Sequence, residues 1–228
     1  MAQPGRKAKR KEVVWSDDFA YAIGLMASDG CLSPDGLHLI FVSKELEQIE
    51  NLMKCLDLQV KIGRFSSGSG LPKKYYRVQW GDVFLYRYLL TIGLTPNKSL
   101  TMGKLDIPEG YFFDFLRGLY DGDGCFYSYF DPRWKSSFMY YFTVGSGSEV
   151  FINWLQESIE ELTGSKGHIT RAANGRFFQI RYAKRESHSV LQKLYADPKA
   201  THLKRKKLKI AKALRIVNES LPVREKKT

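Results

Sequence analysis

Six residues of this chain recur at one fixed spacing. Gly24, Leu25, Asp29, Gly30 and Cys31 return as Gly118, Leu119, Asp123, Gly124 and Cys125, each pair 94 residues apart. Phe19 returns as Phe113 at the same offset. A repeat held at constant offset marks two copies of one structural unit. Any fold open to this chain must place the same apolar segment, ending in Asp-Gly, twice.

The patterns flanking each copy agree. In the first, Ser16–Asp18 offers an N-cap and first-turn acids for a helix through Ser28. CLSPDG reads as a short strand and turn, and Leu37–Ser43 has strand composition. Glu45–Leu56 sets Leu46, Ile49, Leu52, Met53 and Leu56 on one helical face. QVKIGRF and YYRVQWGD form a hairpin around a Gly/Ser-rich turn, and a helix follows at Val83–Ile92. The second copy repeats that order. IPEGYFFDFLRGLYDGDG is a helix with Pro108 near its start. CFYSYF and SSFMYYFTV are strands, SEVFINWLQESIEEL a helix, KGHITRA and GRFFQIRYA a hairpin, and SHSVLQKLYA a third helix. The expected organisation is a basic arm at 1–14, a first repeat at 15–94, a linker at 95–108, a second repeat at 109–200 and a basic C-terminal helix and tail at 201–228.

Composition narrows the partner. The 228 residues are 43% hydrophobic and 14% aromatic, which suits a folded core rather than disorder. The 36 basic residues exceed the 24 acidic ones, giving a net charge of +12 that suits a polyanion. No apolar run approaches the roughly 20 residues that span a bilayer. The opening MAQPGRKAKRKE has cations with no apolar stretch behind them, so no secretory signal is expected. Cys31, Cys55 and Cys125 form no metal-spaced pair, and a reducing cytoplasmic or organellar setting is expected, not a secreted one.

The repeated segment carries the chemistry. On a helix, Ala20, Gly24 and Ala27 share one stripe, as do Asp114, Gly118 and Asp121. If Gly24 and Gly118 let the two backbones touch, Asp29 and Asp123 stand side by side at the helix C-termini. A helix C-terminus disfavours an extra carboxylate, so a pair there is a poor stability device. It is a good site for a hard divalent cation, since Mg²⁺ binds through one or two carboxylates plus phosphate and water. The blander alternative is that each Asp-Gly only ends a helix, the glycine supplying a positive φ.

With these residues in view, AIGLMASDG (Ala22–Gly30) and LRGLYDGDG (Leu116–Gly124) resemble the two copies of the LAGLIDADG motif of homing endonucleases. The layout resembles the single-chain, two-repeat members from about Val14 to Val217. The second motif is a close match; the first has Ala27 where many members carry an acid. The resemblance implies an α+β fold of two αββαββα repeats, with antiparallel sheets forming a saddle over DNA and the motif helices packed at the repeat interface. It implies divalent metal held by Asp29 and Asp123 with the backbone carbonyls of Ser28 and Gly122. Mg²⁺ is the expected cofactor, Mn²⁺ or Ca²⁺ substituting for binding. It also implies basic residues at the metal centre: Lys98 in PNKSL, and Lys206 in LKRKK with Arg205 beside it. Ser43 stands near a strand end where the family often has Gln. His38, His168, His188 and His202 form no motif, and no catalytic role is assigned to them.

Specificity is expected from the strands. Alternation in YYRVQW puts Tyr75, Arg77 and Gln79 on one face, and in FFQIRY it puts Gln179 and Arg181 together with Phe177. Arginine suits guanine and glutamine suits adenine in the major groove. Lys61, Tyr127, Tyr129 and Thr143 extend the same surface. The expected function is a monomeric endonuclease, needing no protein partner or membrane, that makes a metal-dependent double-strand break at a long asymmetric DNA target. No intein splice-junction pattern is present, which favours a free-standing or intron-encoded enzyme. An RNA maturase or a non-cleaving DNA-binding regulator on the same scaffold is the alternative.

Overall fold

The structure is a computed structural model that describes residues 13–66, 74–134 and 136–222. Most of the expected basic arm, the centre of the Gly/Ser-rich turn and the last residues of the tail lie outside that range.

The first half runs α1 (Asp17–Ser28), β1 (Gly30–Leu32), β2 (His38–Ser43), α2 (Leu46–Cys55), β3 (Gly63–Phe65), β4 (Tyr75–Gly81) and α3 (Val83–Thr91). The second runs α4 (Phe112–Asp123), β5 (Gly124–Phe130), β6 (Phe138–Ser146), α5 (Glu149–Thr163), β7 (His168–Arg171), β8 (Phe178–Ala183) and α6 (Lys184–Leu194), and α7 (Lys204–Ile216) follows. The helix–strand–strand–helix–strand–strand–helix order therefore occurs twice. Each half builds one four-stranded sheet, ordered β1-β2-β4-β3 and β5-β6-β8-β7. Every pairing is antiparallel. The expected α+β architecture of two like halves is what forms.

Sequence pattern explains the layering. Along β4, Val78 and Trp80 are buried while Gln79 is exposed, and along β8, Phe178, Ile180 and Tyr182 are buried. Each sheet thus turns one apolar face to the helices and leaves the other face uncovered. The motif helices behave differently. Residues Ala20 to Ala27 of α1, an apolar run, and Phe115 to Asp121 of α4, which include the buried Arg117 and Asp121, are covered on nearly every side. They pack on each other at the centre of the molecule. Ser16 caps α1 by accepting from the Phe19 N–H, as its sequence position suggested.

Two local features depart from the sequence reading. Pro108 lies outside the helix in extended conformation, a 3-10 turn follows at Glu109–Tyr111, and α4 begins only at Phe112. β3 keeps three residues of the longer strand expected at 59–65. The β5–β6 ladder pairs residues from Gly124 to Phe130, whereas β1–β2 pairs only Gly30 to Leu32. Among the described residues no helix is long and apolar enough to cross a membrane.

Candidate active site and nucleic-acid interface

The two motif helices touch backbone to backbone. A Cβ added at Gly24 would lie 2.1 Å from the Phe115 carbonyl oxygen, and one at Gly118 would lie 2.0 Å from that of Tyr21. No side chain larger than hydrogen fits at either position. Just beyond this crossing each helix passes straight into a strand. Asp29 is the C-cap of α1 and Asp123 the last residue of α4, so β1 and β5 begin at the next glycine.

Those glycines do not work by handedness. Gly124 has φ −80° and Gly30 is not among the glycines with positive φ, which overturns the helix-stop explanation of Asp-Gly. They are needed for space instead. A Cβ on Gly30 would fall 2.6 Å from the Met26 Cα, and one on Gly124 would be 2.1 Å from the Tyr120 ring.

The crossing brings the two carboxylate-bearing ends together. Asp29 of the first half leans over Gly122 of the second, where an added Cβ would be 2.9 Å from Asp29 Oδ2. Crowding by protein raises the pKa of Asp123 to about 6, and the neighbouring Asp29 charge adds to the rise while Lys98 and Lys206 oppose it. Asp29 is raised as well, chiefly by desolvation, with a bond from Gln48 pulling the other way. Both side chains keep a solvent-exposed side, and that exposure tempers the shifts.

The lysines occupy matching places. Lys98 is buried, and its Nζ donates to the carbonyls of Ser28 at 3.3 Å and Gly30 at 2.5 Å. Lys206, also buried, donates to Tyr120 at 2.5 Å, Gly124 at 2.7 Å and Gly122 at 3.3 Å. Each ammonium caps the carbonyl end of one motif helix, where positive charge is favoured. Desolvation lowers both pKa values, and nearby acids work against that, led by Asp123 for Lys98 and by Asp121 for Lys206. The carbonyls of Ser28 and Gly122 therefore already accept from lysine. Arg205 is engaged with both carboxylate oxygens of Glu45.

Two groups at the site were not anticipated. Gln48 on α2 donates from Nε2 to Asp29 Oδ2 at 3.2 Å, and its Oε1 accepts from Ser43 at 2.6 Å. Ser43 at the end of β2 thus acts through a glutamine five residues on. The sequence carried no signal for it, since the burial of this amide follows from the packing of α2. The second is Asp121, buried, whose Oδ2 accepts from the Tyr21 hydroxyl at 2.8 Å and from the Leu203 N–H at 2.7 Å. Among the described residues its Oδ1 has no partner, and burial raises its pKa to about 6.

The donor set suits a hard cation: two carboxylates at one junction, backbone carbonyls beside them, and a glycine cradle at Gly122 too tight for any side chain. Among the described residues no cluster of three or more His, Cys, Asp or Glu forms, so the protein alone does not complete a coordination shell. Phosphate and water would have to supply the rest. The histidines are occupied elsewhere, His38 with Asp35, His188 with Gln192 and His202 with the Ala200 carbonyl, while His168 opens β7 in an exposed position.

The uncovered sheet faces carry most of the residues singled out for base reading. Strand register puts Arg77 opposite Val42 and Gly63, and Gln79 opposite Ile40. Tyr75 shares that face, and Lys61 is exposed just before β3. In the second half Arg181 stands opposite Thr143, and Tyr127 opposite Tyr141. Tyr129 extends the row, its ring 6.2 Å from that of Tyr141. Thr143 is the exception. Its register places it on the Arg181 face, but it is buried there and its hydroxyl donates to the Cys125 carbonyl, so it is not presented to a ligand.

No protein-family model matches the chain, and no curated protein matches it in sequence. Solved structures do match. The I-LtrWI LAGLIDADG homing endonuclease bound to target DNA aligns at TM-score 0.56 and 14% identity, over 85% of this chain and 87% of that one. The chain has the LAGLIDADG fold. The meganuclease I-SmaMI bound to uncleaveable DNA shares this LAGLIDADG architecture at TM-score 0.58 and 14% identity, covering 90% of this chain and 93% of that one. Full-length DUF199/WhiA from Thermatoga maritima matches 94% of this chain at TM-score 0.55 and 14% identity, and here the chain spans 64% of the other protein.

Proposed function

We infer that this protein is a site-specific DNA endonuclease that makes a divalent-metal-dependent double-strand break in a long, asymmetric duplex target. The same fold spans proteins described as homing endonucleases and one described as DUF199/WhiA, so the fold alone does not fix the activity. What carries the reading is the meeting of Asp29 and Asp123 at the end of the glycine-crossed helix pair. An acid whose pKa is raised by desolvation and by a second carboxylate beside it, as Asp123 is by Asp29, costs stability unless a cation offsets the charge. Related structures determined with calcium and with manganese support a divalent ion of this kind.

In this reading Asp29 and Asp123 hold divalent cations, which supply an activated water and neutralise charge on the scissile phosphates when bound. Gln48 fixes the rotamer of Asp29, and Ser43 fixes Gln48. Lys98 and Lys206 are positioning residues: they lock the helix ends that bear the acids and add positive charge where phosphates arrive. Each sheet face lies along one half of the target, and 15–94 and 109–200 act as the two repeats joined by 95–108. The chain works as a monomer, because both acids come from one polypeptide.

The test is selection for cutting. A pool of randomised duplexes is incubated with the protein and Mg²⁺, and newly broken ends are captured and sequenced. A single asymmetric sequence cut on both strands, and uncut in chelator, is expected. Enrichment by binding with no broken ends under any divalent ion would point instead to a regulator that binds without cutting.

A further inference from the structure

The two acids match in sequence but are held differently. Strand register aligns what lies behind them. Ser43 ends β2 opposite Tyr76, and Ser146 ends β6 opposite Phe178. Two residues on, Glu45 is the N-cap of α2 and Ser148 that of α5. The N–H of each donates to the preceding serine hydroxyl, at 3.0 Å and 3.1 Å. Three residues further the match fails, with Gln48 on α2 and Phe151 on α5.

The mismatch reaches the acids. In the first half the Ser43 hydroxyl donates to Gln48 Oε1 at 2.6 Å, and Gln48 Nε2 donates to Asp29 Oδ2 at 3.2 Å. In the second half Phe151 is fully buried and has no polar atom to offer. The Ser146 hydroxyl donates to none of the described residues, and the Asp123 carboxylate accepts from none. Instead Asp123 borders a cavity of about 210 Å³, lined also by Ser146, Gly147 and Phe151. That space has room for several waters, and so for the carboxylate to turn.

A carboxylate already held in place gives up less freedom when an ion arrives. Hydrogen bonds that orient a metal ligand are worth roughly 10–100-fold in ion affinity. Gln48 takes up one oxygen of Asp29 and leaves the other for an ion. We propose that the two cation sites are unequal: Ser43 and Gln48 make the Asp29 site the tighter one, and Phe151 leaves the Asp123 site the weaker. This inference rests on the metal-dependent reading above, with one acid serving each strand. The strand served by Asp29 is then cut first, and at scarce divalent ion the protein nicks DNA instead of breaking it.

Ca²⁺, the ion present with uncleaved DNA in a related structure, reads affinity apart from cutting. It is titrated by calorimetry into the protein bound to a duplex enriched by binding, with the heat of the duplex alone subtracted. In parallel, the two strands, labelled separately, are followed through a Mg²⁺ series. Wild type is expected to take up Ca²⁺ in two steps roughly 10–100-fold apart. Asp29→Asn loses the tighter step and Asp123→Asn the weaker. At low Mg²⁺ wild type nicks one strand, always the same, and breaks both only at roughly tenfold more. Gln48→Leu merges the two steps and removes the nicking window. The two Asp variants assign the steps without altering the core, so they decide the matter if Gln48→Leu fails to fold. One Ca²⁺ step in a wild type that cuts both strands together would overturn the proposal and leave the endonuclease reading standing. So would two steps of which Asp123→Asn loses the tighter, or a gap undiminished in folded Gln48→Leu. No Ca²⁺ uptake and no cut strand at any Mg²⁺ would remove the metal-dependent reading, and the proposal with it.

Discussion

Asp121 is held by the Tyr21 hydroxyl and the Leu203 N–H through one oxygen, while its other oxygen is buried without a partner among the described residues. Burial lifts its pKa to about 6, above the ordinary value near 4. The folded state thus keeps a proton that the unfolded chain has released, so this group's contribution to stability falls as pH rises from about 4 to about 6. Asn at 121 keeps the acceptor and removes the titration. In chelator, thermal melts of Asp121→Asn are expected to lose less stability than wild type across that window; parallel curves would contradict the assignment. The lysines make a second residue-scale prediction. Lys206→Met strands three carbonyls and Lys98→Met two, each costing about 1–3 kcal/mol by chemical denaturation, the former more. Equal stability to wild type would show that neither ammonium locks its helix end. The acids and lysines were legible in the sequence because a fixed offset or a motif marks them. Gln48 was not, because no spacing along the chain joins residue 48 to residue 29. Only the packing of α2 against α1 does.

At the scale of elements, the crossing of α1 and α4 sets every other distance at the centre. Its two glycines face backbone atoms of the partner helix, not pliable side chains, so even one methyl group has nowhere to go. Gly24→Ala and Gly118→Ala should each destabilise by about 1–3 kcal/mol or more through overpacking, seen as a lowered melting temperature. An unchanged melt would remove the close-packed pair from the account. The helices were readable from their apolar periodicity and caps, and the strands from alternation. Their ends were less so. α6 was expected from Ser187 but starts at Lys184, directly after β8, with a lysine at φ 40° that no local propensity would suggest. The short β3 shows the same limit, since only Gly63 to Phe65 pair with β4 although β4 is longer.

At the scale of the whole molecule the repeat gives symmetry and the side chains break it. Both halves share strand order, a motif helix and a buried lysine, yet Gln48 bonds Asp29 while no amide side chain bonds Asp123 among the described residues, and the β5–β6 ladder outreaches β1–β2. Such a scaffold suits a duplex whose two halves differ in sequence. The repeat made this architecture legible from the chain alone, whereas the asymmetry emerged from contacts between distant segments. The central claim is that the paired carboxylates serve cutting and not folding or DNA affinity. It is tested by comparing Asp29→Asn and Asp123→Asn with wild type on the selected duplex, measuring strand cleavage in Mg²⁺ and binding in the same buffer. Each variant is expected to bind the duplex as wild type does and to leave it without a double-strand break. A double-strand break made by either variant at the wild-type rate would contradict the account.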